Sequence, residues 1–188
     1  MRVNFLFLFL VLANIHFGLS QTLPESENDT IIVWKEDRKL TWKDFKKMKL
    51  SGPRAAQSDI GIDVKTIYKG ENNYKYVVIA YFYKQESSTE TDNLEVLKHE
   101  QVHFDIAELF ARKMRSRLAQ LSRERFNKQK YNRAIDEVYD NFFKYQDRYD
   151  RETKHSIEKE QQGLWNIKIA NELEALSRFK STEYSSAK

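Results

Sequence analysis

The sequence contains no cysteine, and its 188 residues include only two prolines, five glycines and four histidines. The absence of cysteine excludes disulfide bonds, thiolate metal ligands and lipid attachment at an N-terminal cysteine. Between residues 93 and 162 there is neither glycine nor proline, which is typical of long helices. Because histidine is scarce, the position of each histidine is informative.

A large excess of charge of one sign is also missing, since 32 lysines and arginines stand against 28 aspartates and glutamates. The net charge is only +4. Basic and acidic residues are mixed along the helical segments, which indicates solvated helix faces rather than a basic stripe. We therefore expect no nucleic-acid partner.

The one long apolar run lies at the N-terminus, where Phe5 to Ala13 follow a single charged residue, Arg2. This run is too short to span a membrane. Small residues near its end form a cleavage site before Gln21. We interpret residues 1–20 as a secretory signal peptide, which predicts a periplasmic or extracellular protein with no membrane span in its mature form.

The rest of the chain is long enough for one domain with its own core. We assign residues 21–180 to that domain and expect a monomer. The polar end of the chain, residues 181–188, is predicted to be disordered.

Apolar spacing predicts strands in the first half of the chain and helices in the second. The predicted strands are residues 31–34, 60–67 and 74–84, with a turn at 69–73. The predicted helices are a short one from Thr41, then 93–122, 131–155 and 165–179, with Thr91 or Asp92 as N-cap of the first long helix and Gly163 before the last.

Residues 99–103 read His-Glu-Gln-Val-His, the HExxH pattern, inside the first long helix. Residues four apart lie on one face of a helix, so His99 and His103 can direct their imidazoles at one metal ion. Glu100 lies beside them, where it can take a proton from a metal-bound water. A catalytic zinc site needs three protein ligands, so one more must come from elsewhere.

The third ligand is predicted from the packing of the two long helices. No third histidine follows the motif closely, as it would in a metzincin, and Glu124 would lie about 30 Å away along an unbroken helix. If the helices form an antiparallel hairpin about residue 128, His155 returns to the level of the motif. We favour His155, with Glu152 one turn earlier as the competing ligand.

Two acidic residues that follow the motif are expected to have structural roles. From His103, Asp105 and Glu108 lie about 200° and 140° around the helix. Glu108 and Arg112 have the i, i+4 spacing of an ion pair.

With these residues identified, the chain resembles a family of predicted secreted bacterial zinc-dependent proteases catalogued as a domain of unknown function. The resemblance implies that His99 and His103 are metal ligands, that Glu100 is the general base and that His155 completes the site. Val102 and Ser156 stand where the family often has glycine, and neither change removes a ligand. The similar segments are LTWKDF (40–45), AAQSDIGI (55–62), LKHEQVHFDIAELFARKMR (97–115), YDRETKH (149–155) and QGLW (162–165).

The sequence thus predicts an α+β, zincin-like fold, with an N-terminal β-hairpin or small antiparallel sheet packed on a long antiparallel helical hairpin and a C-terminal helix. The predicted function is that of a secreted zinc metallopeptidase with Zn²⁺ on His99, His103 and His155 and a peptide or protein as its substrate.

Two alternatives remain open. In the first, the same three histidines hold a structural zinc in a non-catalytic envelope or secreted protein. A structural site normally has four protein ligands, and Glu152 is the candidate for the fourth. In the second, the chain is a helical interaction module without a metal.

Overall fold

The computed structural model describes residues 27–50, 55–68, 74–124, 126–180 and 183–185. The strands are β1 (Ile31–Val33), β2 (Lys46–Lys47), β3 (Ala56–Gln57), β4 (Ile60–Tyr68), β5 (Tyr74–Tyr83), β6 (Ser88–Thr89) and β7 (Glu183–Ser185). The helices are α1 (Leu94–Leu121), α2 (Lys128–Thr153) and α3 (Lys159–Ala175), with 3-10 turns at Trp42–Asp44 and Ser177–Phe179. The predicted signal peptide and the turn at 69–73 lie outside the described residues.

The main sheet is built on the antiparallel hairpin of β4 and β5, whose register runs from Ile60 opposite Phe82 to Tyr68 opposite Tyr74. On the other side of β5, β1 pairs with residues 81–83 and β7 with residues 75–77. A second, smaller sheet has the order β2-β6-β3.

Helix α1 lies at the centre of the molecule, in contact with β5, α2 and α3. Its buried residues occur all round the helix, as expected for a helix enclosed on every side. Helix α2 returns antiparallel along α1 and buries one face, including Phe142 and Tyr149. Two long helices packed together beside small sheets confirm the predicted α+β fold.

A buried charge cluster joins α1 to the sheet and to the 3-10 turn after α3. The predicted pair of Glu108 and Arg112 is confirmed, with 2.8 Å between Oε1 and Nε. Arg115 is fully buried and donates to Glu108 and to the carbonyl oxygens of Val78 and Phe179. Each buried charge therefore has a partner of opposite charge or a carbonyl dipole, as burial of charge requires.

The first residues of α1 and α3 differ from those predicted from the sequence. The N-cap of α1 is Asn93, whose side chain accepts from the backbone N–H of Glu95 at 2.9 Å, rather than Thr91 or Asp92. Helix α3 begins at Lys159, so Gly163 lies inside it, where a Cβ would have open space.

The break between α2 and α3 lies instead at three residues in the left-handed region. Lys154, His155 and Ser156 have φ values of 47°, 51° and 75°. Non-glycine residues adopt this conformation rarely. The second long helix therefore ends at Thr153 and not at His155.

Of residues 181–188, which the sequence predicts to be disordered, the structure describes residues 183–185. Residues 183–185 form β7 and pair with residues 75–77 of β5, at the edge that the short strand β1 leaves uncovered. In the ranges that the structure describes, no helix is long and apolar enough to cross a membrane.

Candidate metal centre

The hairpin of α1 and α2 brings together three side chains of types that can bind a metal ion. His99 and His103 lie one turn apart on α1, with 3.1 Å between their Nε2 atoms. Asp150, in the last turn of α2, places Oδ1 3.1 Å from His99 Nε2 and 2.8 Å from His103 Nε2. The ligand atoms of these residues lie within 4.8 Å of one another, so the cluster can hold a metal ion.

The spacing and chemistry of these donors fit zinc. Ligand atoms about 2.0–2.1 Å from a tetrahedral zinc ion lie roughly 3.3 Å from each other. The three distances between donors are close to this value. Two imidazoles and a carboxylate are also a ligand set that zinc accepts.

Two glutamines fix the orientation of the histidine rings. His99 Nδ1 is 3.0 Å from Gln162 Oε1 on α3, and His103 Nδ1 is 2.6 Å from Gln146 Oε1 on α2. Because each glutamine oxygen accepts, each Nδ1 carries the hydrogen and each Nε2 is left for a metal.

The amide orientation of Gln146 is supported by its other end, and that of Gln162 is consistent with a donor to Asn166. Gln146 Nε2 donates to the carbonyl oxygen of His103 at 3.1 Å, and Gln162 Nε2 donates to Asn166 Oδ1 at 3.0 Å. Both amide groups are therefore satisfied in the orientation that accepts from the histidines.

Tyr149 forms a fully buried wall behind the cluster. Its ring stacks on His99, with ring centroids 4.6 Å apart, and meets His103 edge-on at 4.8 Å. Its hydroxyl is bonded to Gln162, and burial raises its pKa. A phenol this deep supports the rings and does not face a substrate.

Glu100 is buried beside the cluster, and its carboxylate is hydrogen-bonded by a residue of the loop after β3. Ser58 Oγ donates a short hydrogen bond to Glu100 Oε2. A long-range contact from the β3–β4 connection therefore fixes the carboxylate of the motif.

The charge of Asp150 dominates the electrostatics of the cluster. Burial lowers the pKa of His103, but the hydrogen bond and charge of Asp150 outweigh this and leave the pKa raised. Burial raises the pKa of Asp150, but hydrogen bonds and charge from His103 and His99 hold it well below its ordinary value. The cluster therefore favours an ionised aspartate and attracts positive charge.

His155 and Glu152, the two residues considered for the third ligand, are placed differently. His155 Nδ1 lies 3.4 Å from Asp150 Oδ1, at the rim of the cluster. The carboxylate of Glu152 is bound to Arg148 at 2.7 Å and to Trp165 Nε1 at 2.9 Å. The structure thus brings His155 to the cluster and directs Glu152 away from it.

Sequence reasoning missed four residues of the site: Ser58, Gln146, Asp150 and Gln162. Asp150 could have been found from its spacing, because Gln146, Tyr149 and Asp150 lie on one face of α2. The contacts of Ser58 with Glu100 and of Gln162 with His99 join elements that are far apart in the chain, and no local pattern indicates them.

Residues 90–156 match the model of a family described as bacterial protein of unknown function (DUF922). The match covers a little over a third of the chain, from just before α1 to the turn after α2. It contains His99, Glu100, His103, Asp150 and His155, and over these residues the chain is similar to a bacterial family whose description states no activity. No curated protein and no solved structure matches the chain.

Proposed function

We propose that this protein is an exported zinc-dependent metallopeptidase with Glu100 as general base. The observation that carries the proposal is the convergence of His99 Nε2, His103 Nε2 and Asp150 Oδ1 next to a buried glutamate of the same helical turn. The two histidines and the glutamate have the arrangement that the HExxH pattern is expected to form on a helix, and Asp150 adds a third donor from α2.

A zinc ion in this cluster would act as a Lewis acid, lowering the pKa of a coordinated water and polarising a peptide carbonyl. His99 and His103 present Nε2 to the ion because Gln162 and Gln146 hold Nδ1. Glu100 takes a proton from the attacking water and delivers it to the leaving amine. Ser58 orients the carboxylate by holding one of its oxygens.

The test compares zinc content and casein cleavage in the wild type, Glu100→Gln and His99→Ala. We expect one zinc per chain in the wild type and in Glu100→Gln, with cleavage by Glu100→Gln reduced at least about 100-fold because the proton acceptor is lost. His99→Ala should lose both zinc and cleavage. Glu95→Gln, on the first turn of the same helix, is the matched control and should change neither.

A second candidate function is a non-catalytic protein with a structural zinc. The observation that favours it is the position of His155 at the rim of the cluster of His99, His103 and Asp150, because an inward movement of its ring would give four protein donors. Zinc that binds at one per chain, with no cleavage of any peptide library and no effect of Glu100→Gln, would support this function instead.

Export is part of the proposal and has its own test. The sequence predicts cleavage before Gln21. The mature protein, isolated from its native host, should therefore begin at Gln21, and a form that retains residues 1–20 would contradict the export prediction.

A further inference from the structure

We propose that Asp150 is the permanent third protein ligand of the metal, and that His155 is an exchangeable fourth ligand that closes the remaining position until another ligand displaces it. This inference rests on the metal site of the proposed function, but it does not depend on peptide cleavage.

The distances show that Asp150 and His155 hold different positions relative to His99 and His103. Asp150 Oδ1 lies between the two Nε2 atoms, at 2.8 Å and 3.1 Å. His155 Nδ1 is 3.4 Å from the same oxygen, but His155 is not one of the residues whose ligand atoms all lie within 4.8 Å of one another, so its ring must move inward to complete a tetrahedral site. The ring centroids of His155 and His99 are 6.4 Å apart, against 4.7 Å for His99 and His103. Asp150 is therefore inside the cluster, and His155 stands at its rim.

The side chains also differ in how firmly they are held. The exposed fraction is 4% for His99 and 15% for His103, but 58% for His155. Gln162 and Gln146 hydrogen-bond the second ring nitrogen, Nδ1, of His99 and His103. Within the part of the chain that the structure describes, no side chain hydrogen-bonds the second nitrogen of His155. His155 can turn into water without opening a cavity, whereas the other two cannot.

The backbone of the turn explains how His155 reaches the cluster. On a continuous helix, a residue five positions after Asp150 would point about 140° away from it. The left-handed conformation of residues 154–156 turns the chain back instead. The turn is held by hydrogen bonds from the His155 N–H to the Asp150 carbonyl at 3.1 Å and from the Glu158 N–H to the Thr153 carbonyl at 2.9 Å. The left-handed conformation of residues 154–156 is unfavourable, but it places the His155 ring beside Asp150, where the ring can act as a fourth donor.

The experiment is a titration of the metal-free protein with Co²⁺ against a competing chelator, read by visible absorption. The absorption bands of Co²⁺ weaken when its coordination number rises above four, so they report the ligand set without any activity measurement. The variants are Asp150→Asn, Asp150→Ala and His155→Ala. Lys154→Ala, an exposed residue of the same turn, is the control. Circular dichroism establishes that each variant is folded.

We expect both Asp150 variants to bind Co²⁺ about 100-fold more weakly or worse, while His155→Ala binds within about 10-fold of the wild type. The spectrum of His155→Ala should differ from that of the wild type and return to it when imidazole is added. Azide, a different donor, should change the spectrum of the wild type only at a much higher concentration than it changes that of His155→Ala, since in the wild type it must displace His155. Lys154→Ala should match the wild type throughout.

Three results would overturn the inference. A His155→Ala spectrum identical to that of the wild type would show that His155 is not a ligand. A loss of Co²⁺ affinity in His155→Ala as large as that in Asp150→Ala would show that His155 is permanent. Wild-type affinity in Asp150→Asn and Asp150→Ala would remove Asp150 from the site. If the wild type binds Co²⁺ as described but cleaves no peptide, the peptidase proposal fails and this inference stands; if it binds no metal, both fail.

Discussion

At the scale of single residues, the orientation of the two motif histidines is decided outside the helix that carries them. Gln162 comes from α3 and Gln146 from α2, and each accepts from Nδ1 of one histidine. The HExxH pattern places the rings on one face of α1, but the glutamines select which nitrogen would face a metal ion.

This role of Gln162 can be measured directly. Gln162→Ala should weaken zinc binding about 10- to 100-fold, because His99 loses the partner that fixes its tautomer and ring orientation. Gln161→Ala is the matched control, since Gln161 is adjacent and exposed. Competition with a chromophoric chelator gives both affinities, and equal affinities for the two variants would contradict the role.

Ser58 offers a separate test of the proposed role of Glu100 as general base. Ser58→Ala should lower kcat roughly 2- to 10-fold, the effect of losing one ordinary hydrogen bond to Glu100, with zinc content unchanged. Gln57→Ala, at an exposed neighbouring position, should leave kcat unchanged. A change confined to KM would instead place Ser58 in substrate binding.

At the scale of secondary structure, α1 is held in place by its buried arginine as well as by apolar contacts. Arg115→Met should destabilise the fold by about 3–5 kcal/mol, because Glu108 keeps its burial and loses one of its two cationic partners. Arg117→Met, an exposed position on the same helix, should change the free energy of unfolding by less than about 0.5 kcal/mol. Urea denaturation measures both, and similar values would argue against a buried charge cluster.

The sequence was sufficient to predict the order and type of the main elements, because the apolar spacing of β4, β5, α1 and α2 is regular. It was not sufficient to predict the register between α1 and α2. The connection, residues 122–127, lies about three residues before the predicted turn, and in an antiparallel hairpin this shifts the returning helix by about six positions. Asp150 and not His155 therefore lies opposite the motif.

Contacts between distant segments were also beyond prediction. Gln101 and Asp105 are in the motif helix, but their partners are the Leu40 N–H at 2.7 Å and Trp34 Nε1 at 2.7 Å. Both pairs are separated by more than 60 positions in the chain. Spacing within α1 predicts only that Asp105 points away from the histidines. The structure confirms this direction, since Asp105 accepts from Trp34.

At the scale of the whole molecule, Glu172 joins all three helices. Its carboxylate accepts from Tyr145 on α2 at 2.8 Å, from Lys113 on α1 at 3.0 Å and from Lys168 on its own helix. Burial alone would raise its pKa, but these partners outweigh burial and lower the pKa to about 2.

Acid should therefore weaken the packing of the helices through Glu172. Because the pKa is lower in the folded state, its contribution to stability is complete above the ordinary value of 4.5 and is lost as the pH falls toward about 2. The difference in free energy of unfolding between the wild type and Glu172→Gln should shrink over this range in urea titrations. Glu174→Gln, at an exposed position on α3, should show no such pH dependence, and a constant difference for Glu172→Gln would refute the assignment.

Metal binding should also be visible in global stability. Zinc at about 100 times its dissociation constant should add about 2.7 kcal/mol to the free energy of unfolding, since the cluster exists only in the folded chain. His99→Ala should show no such increase, and a chelator should reverse it in the wild type. An unchanged melting temperature on adding zinc to the wild type would speak against the site.

A metal ion bound at this cluster would also link segments that are far apart in the chain. His103 and Asp150 are 47 positions apart, so an ion bound to both ties the middle of α1 to the end of α2. A chain without cysteine has no covalent cross-link, and bringing two such distant segments together carries an entropic cost that grows with the loop between them. The metal would serve as a reversible cross-link, set by the concentration of free ion and independent of the redox state that governs a disulfide.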